Sequence, residues 1–428
     1  MKAGIWLAAL GLSGGLLASL QAEFPAAGSK KGLQVQMVED ALALGIKHAA
    51  INVDLNALAL PSARSGEPEA IVWRQSGREF QFHRGRVEAL DAQIKPLSER
   101  GVLVYLILLS YASGDAVRDG FMLHPRYDPA APNRLGAFNT ATEEGRAWFR
   151  ASIGFLSQRW SGADRTYGRA VGYILGNEVN SHWWWSNMGR VTLHEFVREH
   201  VRALRLAHGA IREHSSWARL YVSLEHHWSI RYPPADERQA FPGKDFLELL
   251  ADQIRSGGDL DWHLAYHPYP ENLFEPRFWN DRSAVEAENT PRITFKNLEV
   301  LSKFLDQPRF HYRGKPRRII LSEQGFHTPK GTDGEKIQAA AFCYAYRKVE
   351  ALEAIDAFIL HRHVDHAHEG GLDLGLWTRR TDSVSEPGRK KPIYECFLKA
   401  DSPEWRQAFE FALPWVGLKT WPGVPDRN

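Results

Sequence analysis

The stretch "RVEALDAQIKPLSERGVLVYLILLS", residues 86–110, contains the two patterns on which the fold depends. Val87, Leu90 and Ile94 recur at spacings of three and four residues, which predicts a helix with one apolar face that ends at Gly101. The run that follows is almost wholly apolar, as expected of a parallel strand that is buried on both faces. The stretch therefore predicts one helix–strand unit of an α/β fold.

The same alternation recurs along the chain. Further strands are predicted at "IKHAAINVDL", "AVGYIL", "RLYVSL", "LDWHLAY", "RRIIL" and "IDAFIL", each after a helical pattern, and an eighth, weaker strand must precede residue 33. Eight parallel strands that alternate with helices make a (β/α)8, or TIM, barrel. The alternative is an open doubly wound sheet, but no glycine-rich phosphate loop follows any strand.

We also predict insertions in the barrel. Residues 70–83 have the pattern of a hairpin with Ser76-Gly77 at its turn. The helix of the regular alternation that precedes strand "IKHAAINVDL" is predicted over residues 33–45. Residues 111–140 and 364–391 are long strand-to-helix loops. In a barrel, such loops surround the active site.

Composition and the N-terminus restrict the protein class. The chain has 428 residues, of which 44% are hydrophobic, and a net charge of +2 without a long basic run, so no nucleic-acid partner is indicated. Residues 1–22 resemble a signal peptide, with Lys2 before an apolar run, although a membrane anchor is the alternative. We expect residues 23–428 to form one catalytic domain that is exported, periplasmic or secreted, and free of the membrane after cleavage. Cys343 and Cys396 are expected to be buried thiols.

Polar and aromatic side chains follow the predicted strands at the point where each strand ends. They are Asn56, Tyr111, Asn177, Glu178, His226, Trp228, His267, Tyr269, Glu323, His361 and His363. Because the carboxyl ends of barrel strands meet at one rim, we expect these side chains to form a site there.

Two carboxylates, Glu178 and Glu323, each end an apolar run. A pair of carboxylates across a cleft is the apparatus of glycoside hydrolysis, in which one protonates the leaving oxygen and the other attacks or activates water. Repulsion and burial raise the pKa of one member, and hydrogen bonds keep the other ionised. Asn177 can hold a sugar hydroxyl, and Tyr269 can hydrogen-bond a carboxylate on the neighbouring strand. Either carboxylate alone could instead be a helix cap or a salt-bridge partner.

Three motifs, "GNEVN", "HPYP" and "LSEQGF", together resemble clan A of the retaining glycoside hydrolases, which are (β/α)8 barrels. The resemblance implies that Glu178 is the acid/base, with Asn177 contacting the sugar, and that Glu323 is the nucleophile. It implies His267 or Tyr269 as the partner of the nucleophile. The strand numbers agree with the clan if one weak strand precedes residue 33.

Two departures from the clan concern the substrate. The clan often has an Arg near the end of strand two, where this chain reads "NVDLNAL". It often has a Trp at the end of strand eight, where this chain reads "HRHVDHAHEGGLDLGLW", ending at Trp377. The combination is also similar to a bacterial subgroup of unassigned substrate.

The sequence therefore predicts a retaining glycoside hydrolase that acts on a poly- or oligosaccharide and uses no cofactor or metal. Trp183 and Trp184 are candidate stacking surfaces for sugar rings, Trp183 first because it is nearer Glu178. The remaining predicted substrate contacts are Asn56, Tyr111, His226, Trp228, His361, His363 and Trp377. One alternative is a metal-dependent barrel hydrolase that uses the histidines of segment His361–His368. Another is a glycan-binding barrel without catalysis.

Overall fold

The computed structural model describes residues 23–61 and 69–421. The predicted signal peptide, residues 1–22, lies outside the described residues. Eight strands form a closed barrel in which neighbours along the chain are neighbours in space, and every pair is parallel. They are β1 (Lys31–Gln34), β2 (His48–Asp54), β3 (Leu103–Leu109), β4 (Ala170–Leu175), β5 (Arg219–Glu225), β6 (Trp262–His267), β7 (Ile319–Gln324) and β8 (Ile355–Leu360). The predicted (β/α)8 barrel is confirmed.

Helices follow the strands on the outside of the barrel. The principal ones are α1 (Val38–Ala43), α2 (Arg84–Glu99), α3 (Glu143–Ser161), α4 (Leu193–Arg212), α5 (Gly243–Ser256), α6 (Leu298–Leu305), α7 (Gly334–Glu350) and α8 (Pro392–Lys399). Shorter helices are Leu55–Leu58, Ala116–Met122, His182–Trp185, Trp405–Phe409 and Leu413–Val416, with 3-10 turns at Pro132–Arg134, Val179–Ser181, Phe278–Asn280, Pro308–Phe310 and Glu410–Ala412.

The start of the barrel differs from the expected pattern. The helix predicted over residues 33–45 begins only at Val38, and the weak strand continues to Gln34. Leu33 is completely buried, and β1 pairs with both β2 and β8. This pairing satisfies backbone groups that a helix would have satisfied internally, so tertiary contacts override the helical period.

The predicted hairpin at residues 70–83 is present as an antiparallel pair, Ala70–Gln75 with Arg78–His83. Ser76 and Gly77 both have positive φ, 51° and 74°, as a type I′ turn requires. A second antiparallel pair, Trp377–Arg379 with Pro387–Lys390, lies in the loop after β8, where no strand was predicted.

Two apolar layers lie on the two faces of the barrel sheet. On β3, Tyr105 and Ile107 belong to the interior layer, whereas Leu106 and Leu108 belong to the layer beneath the helices. Tyr105 meets Tyr221 of β5 edge to face, with ring centroids 5.8 Å apart. Both faces are thus buried, which explains the continuous apolar run.

Both cysteines, Cys343 on α7 and Cys396 on α8, are buried free thiols, as expected. Among the described residues, no helix combines the length and the apolarity that a membrane crossing demands.

Gly172 of β4 lies between the two interior tyrosines. A Cβ atom there would lie 2.5 Å from Tyr105 Cδ1 and 2.9 Å from Tyr221 Cε2. We expect Gly172→Ala to lower the free energy of unfolding by about 1–3 kcal/mol, because the packed interior must shift. The matched control is Gly209→Ala, an exposed position of α4 where a Cβ atom would have no neighbour within 4 Å. It should raise the free energy by up to about 1 kcal/mol. Denaturant titration measures both, and equal effects would contradict the packing argument.

Candidate active site

The loop after β4 holds Glu178 in an unusual backbone conformation. Its φ and ψ are 40° and 51°, the left-handed region that residues with a Cβ rarely occupy. The Glu178 N–H donates to Ser223 Oγ of β5 at 3.0 Å. A left-handed conformation costs a residue with a Cβ about 1–3 kcal/mol. The hydrogen bond to the neighbouring strand offsets part of this cost and fixes the position of Glu178 at the barrel mouth.

Three titratable side chains meet at that mouth. One carboxylate oxygen of Glu178, one of Glu323 and one ring nitrogen of His267 all lie within 4.8 Å of one another. His267 Nδ1 is 2.9 Å from Glu178 Oε1, and His267 Nε2 is 3.0 Å from Ser322 Oγ of β7. The His267 side chain is 1% exposed and that of Glu178 12%. The two carboxylates therefore lie in a mostly buried cleft.

The Glu323 carboxylate receives one hydrogen bond on each oxygen. The Tyr269 hydroxyl donates to Oε1 at 3.2 Å, and Gln34 Nε2 of β1 donates to Oε2 at 3.2 Å. Of the two expected partners of this carboxylate, Tyr269 contacts it directly, whereas the hydrogen bond of His267 goes to Glu178. Sequence reasoning missed Gln34, which ends the weakest strand of the pattern.

The two carboxylates have opposite pKa shifts. Burial raises the pKa of Glu178, and the negative charges of Glu323 and Glu225 add to this, while the hydrogen bond from His267 opposes it. Burial also opposes ionisation of Glu323, but His361, His267 and the hydrogen bond from Gln34 outweigh it and lower the pKa.

Burial lowers the pKa of His267, but its hydrogen bond to Glu178 and the nearby carboxylates outweigh burial, so the pKa is raised. The pKa values of both His267 and Glu178 are thus raised. Each group therefore keeps its proton to higher pH than the same side chain does in water.

A second buried group, Glu225 with His226 and His227, supports the loop after β4. Glu225 Oε1 accepts from Asn180 Nδ2 at 2.7 Å and from Ser181 Oγ at 2.9 Å. Its Oε2 faces His227 Nδ1 at 2.6 Å. Burial opposes ionisation of Glu225, but the charges of His227 and His226 and the hydrogen bonds from His227 lower its pKa to about 2. The group therefore braces the segment that carries Glu178.

Metal-binding geometry bears on the alternative hydrolase. Among the described residues, three ligand atoms lie within 4.8 Å of one another in two groups, Glu178–His267–Glu323 and Glu225–His226–His227. The segment His361–His368 contributes to neither. His361 contacts Gln34 and Glu369, and His363 Nε2 lies 2.8 Å from Asp40 Oδ2. The arrangement does not collect these histidines around one point.

Several predicted substrate contacts lie away from the cleft. Asn56 and Trp228 are completely buried. Asn56 Nδ2 donates to Tyr111 O and Asp119 Oδ1, and Trp228 Nε1 donates to Glu288 O. The Asn56 amide nitrogen and the Trp228 indole N–H therefore bond to internal partners, and neither side chain offers surface to a substrate.

Buried His363 and half-buried Trp377 also have internal partners. Both bond to Asp40 Oδ2 on α1, the indole N–H of Trp377 at 3.0 Å. These contacts fix the loop after β8 to the first helix. His226 is buried as well, whereas Asn177 is half-buried and Tyr111 is 38% exposed.

The three adjacent tryptophans differ in exposure. Trp183, which was favoured for stacking, is 9% exposed and offers little of its face. Trp184 and Trp185 are half-buried. Trp184 meets Tyr232 edge to face at 4.8 Å, and Trp185 packs against the apolar interior of the barrel. Trp184 and Trp185 therefore have more surface free than Trp183.

A family comparison places the chain. The profile of a sequence family described as "Family of unknown function (DUF5722)" matches residues 23–424. The chain belongs to this family. A search of curated proteins found no match.

Solved structures share the fold. A family 39 glycoside hydrolase from Bacteroides cellulosilyticus WH2 is 14% identical with a TM-score of 0.57, over 87% of this chain and 63% of that one. This chain thus spans less than two thirds of that structure. A hyperthermophilic β-glucosidase from Pyrococcus furiosus is 15% identical with a TM-score of 0.51, over 88% and 86%.

A β-glucosidase from Thermotoga maritima in complex with glucoimidazole is 13% identical with a TM-score of 0.52, over 85% of each chain. The resemblance to clan A glycoside hydrolases is confirmed at the level of the fold.

The charge of Glu323 should control the proton held by Glu178 and His267. We expect Glu178 and His267 to lose their protons at lower pH in Glu323→Gln, because the negative charge that favours their protonated forms has been removed. Carboxyl ¹³C and ring ¹⁵N NMR titrations of Glu178 and His267 measure the shift. Glu144→Gln, a control on the outer helix α3 whose partner is Arg78, should leave the titration unchanged. An unchanged titration in Glu323→Gln would show that the two carboxylates do not interact.

Proposed function

We propose that the protein is a retaining glycoside hydrolase with Glu178 as acid/base and Glu323 as nucleophile. The observation that carries the proposal is the approach of the two carboxylates, with oxygens within 4.8 Å of each other at the barrel mouth. Retaining enzymes hold the two carboxyl groups roughly 5 to 5.5 Å apart, whereas inverting enzymes leave roughly 6.5 to 9.5 Å for a water molecule. The short approach supports retention.

The opposite pKa shifts support the division of roles. Glu178, whose pKa is raised, keeps a proton for the glycosidic oxygen. Glu323, whose pKa is lowered, stays ionised and attacks the anomeric carbon as the glycosidic bond breaks. A glycosyl-enzyme ester forms, and the alcohol leaves with the proton from Glu178. Glu178 then takes a proton from water, which attacks the same carbon and releases Glu323 with net retention.

We propose a poly- or oligosaccharide as the substrate. The half-buried Trp184 and Trp185 and the exposed Tyr111 provide aromatic surface on the loops after β3 and β4, and sugar C–H faces match such surfaces. The structural neighbours named above are a family 39 glycoside hydrolase and two β-glucosidases, which agrees with a carbohydrate substrate. We further propose that the predicted signal peptide directs export, so that the enzyme meets glycans in the periplasm or outside the cell.

Aryl glycosides with different leaving groups test the acid/base role. A panel of α- and β-glycosides of common hexoses and pentoses first identifies the sugar, and NMR of the first-formed anomer gives the stereochemistry. Glu178→Ala should lower kcat/KM for an unsubstituted phenyl glycoside about 10²–10⁴-fold. It should barely affect the 2,4-dinitrophenyl glycoside, because dinitrophenolate leaves without a proton.

Azide tests the nucleophile and separates it from the acid/base. Glu323→Ala should abolish turnover of both glycosides, and azide should restore it with an inverted glycosyl azide. In Glu178→Ala, azide should give the retained product. Glu144→Gln is the control and should keep wild-type rates. Inversion by the wild type, or full activity of Glu323→Ala, would refute the proposal. Glycan binding without turnover of any substrate in the panel would favour the binding barrel.

A further inference from the structure

We propose that Gln34, His361 and Glu369 form a positioning unit that keeps the Glu323 carboxylate ionised and oriented, with His361 as a cation acting through the Gln34 amide. The unit joins β1, the end of β8 and the loop that follows β8. Its role in catalysis rests on the proposed function, whereas its hydrogen bonding and charge do not.

The Gln34 side chain is fixed in one orientation. Its Nε2 lies 3.2 Å from Glu323 Oε2 and 3.4 Å from the Ser322 carbonyl oxygen. A carboxylate and a carbonyl only accept hydrogen bonds, so the amide nitrogen must face them. The Gln34 Oε1 atom therefore faces the other way, toward His361.

The contacts of His361 then determine its protons. Its Nδ1 lies 2.6 Å from Gln34 Oε1, which only accepts, so Nδ1 carries a proton. Its Nε2 lies 3.2 Å from Glu369 Oε1. The other oxygen of Glu369 accepts from the Arg362 guanidinium, a permanent cation, so this partner is an ionised carboxylate that only accepts. Both ring nitrogens donate, and His361 is an imidazolium.

Both the backbone and the ring of His361 are fixed by hydrogen bonds. Its backbone N–H donates to the Gln324 carbonyl of β7 at 2.7 Å, and its side chain is 11% exposed. Glu369 is held on its second oxygen by Arg362. The ring therefore cannot turn away from Gln34 without losing bonds on both nitrogens.

The unit supplies the positive charge that the nucleophile needs. The end of β2 does not supply this charge, since the chain reads "NVDLNAL" there and has no Arg. Instead, the charge of His361, which bonds to the Gln34 amide, lowers the pKa of Glu323, whereas the negative charge of Glu369 raises it. The titratable groups that surround Glu323 and His361 are Tyr111, Glu178, His267, Tyr269, Glu369, Arg362 and His366.

NMR of the full chain tests the unit without any substrate. Protein labelled with ¹³C at glutamate carboxyls and ¹⁵N in histidine rings is titrated, with Glu323 assigned by its absence from Glu323→Gln. We expect both ring nitrogens of His361 to be protonated near pH 7. In His361→Gln, which keeps a donor but removes the charge, the pKa of Glu323 should rise by about one unit. Gln34→Met should raise it too, because the amide donor is lost.

The control is His368→Gln, an exposed histidine of the same loop whose ring contacts His366. It should leave the pKa of Glu323 unchanged. For a glycoside found to be turned over, the acidic limb of kcat/KM should move to higher pH in His361→Gln and Gln34→Met but not in His368→Gln. A loss of fold alone would not move that limb.

Two results would overturn the unit: a single ring proton on His361 in the wild type near pH 7, or an unchanged Glu323 pKa in folded His361→Gln. The wild-type measurement decides even where a variant fails to fold. If the Glu323 pKa moves as expected while no glycoside is turned over, the unit stands and the glycosidase proposal fails.

Discussion

The carboxylates of Glu178 and Glu323 lie together in one mostly buried cleft, and each needs partners that offset the electrostatic cost of this arrangement. Two carboxyl groups so close together in a medium of low dielectric cannot both be ionised unless hydrogen bonds or positive charges offset their repulsion. The protein resolves this asymmetrically. Glu178 lies with His267 and keeps a proton, whereas Glu323 receives donors on both oxygens and faces two imidazoles. Hydrogen bonds with β1, β5 and β7 fix Glu323, Glu178 and His267, respectively.

Much of the fold could be predicted because its signals are local. The apolar runs of β4 and β8 coincide with the predicted strands, since burial on both faces demands continuous apolar sequence. The turn at Ser76-Gly77 is set by backbone chemistry within two residues. The carboxylates were recognisable because a Glu at the end of such a run needs an explanation.

The remaining features depend on contacts between distant residues. β1 has only four residues, and its pairing with β8 gives no local pattern. Gln34 bonds to Glu323 directly, and Glu369 joins the site through His361. The second contact depends on how the loop after β8 folds. Trp183 was favoured for its nearness in sequence to Glu178, but the direction of its side chain depends on the packing of the whole loop. Sequence distance alone could not settle these points.

The pairing of β1 with β8 has a consequence for how the chain folds. The register joins Lys31 to Phe358, so a chain synthesised from its N-terminus holds one edge of the sheet unpaired until residues 355–360 exist. Closure is then a late step with a large loop-entropy cost, and open strand edges favour aggregation until it occurs. Gln34 lies on that first strand and meets Glu323 only in the closed ring. The complete site therefore cannot form before β8 has been synthesised.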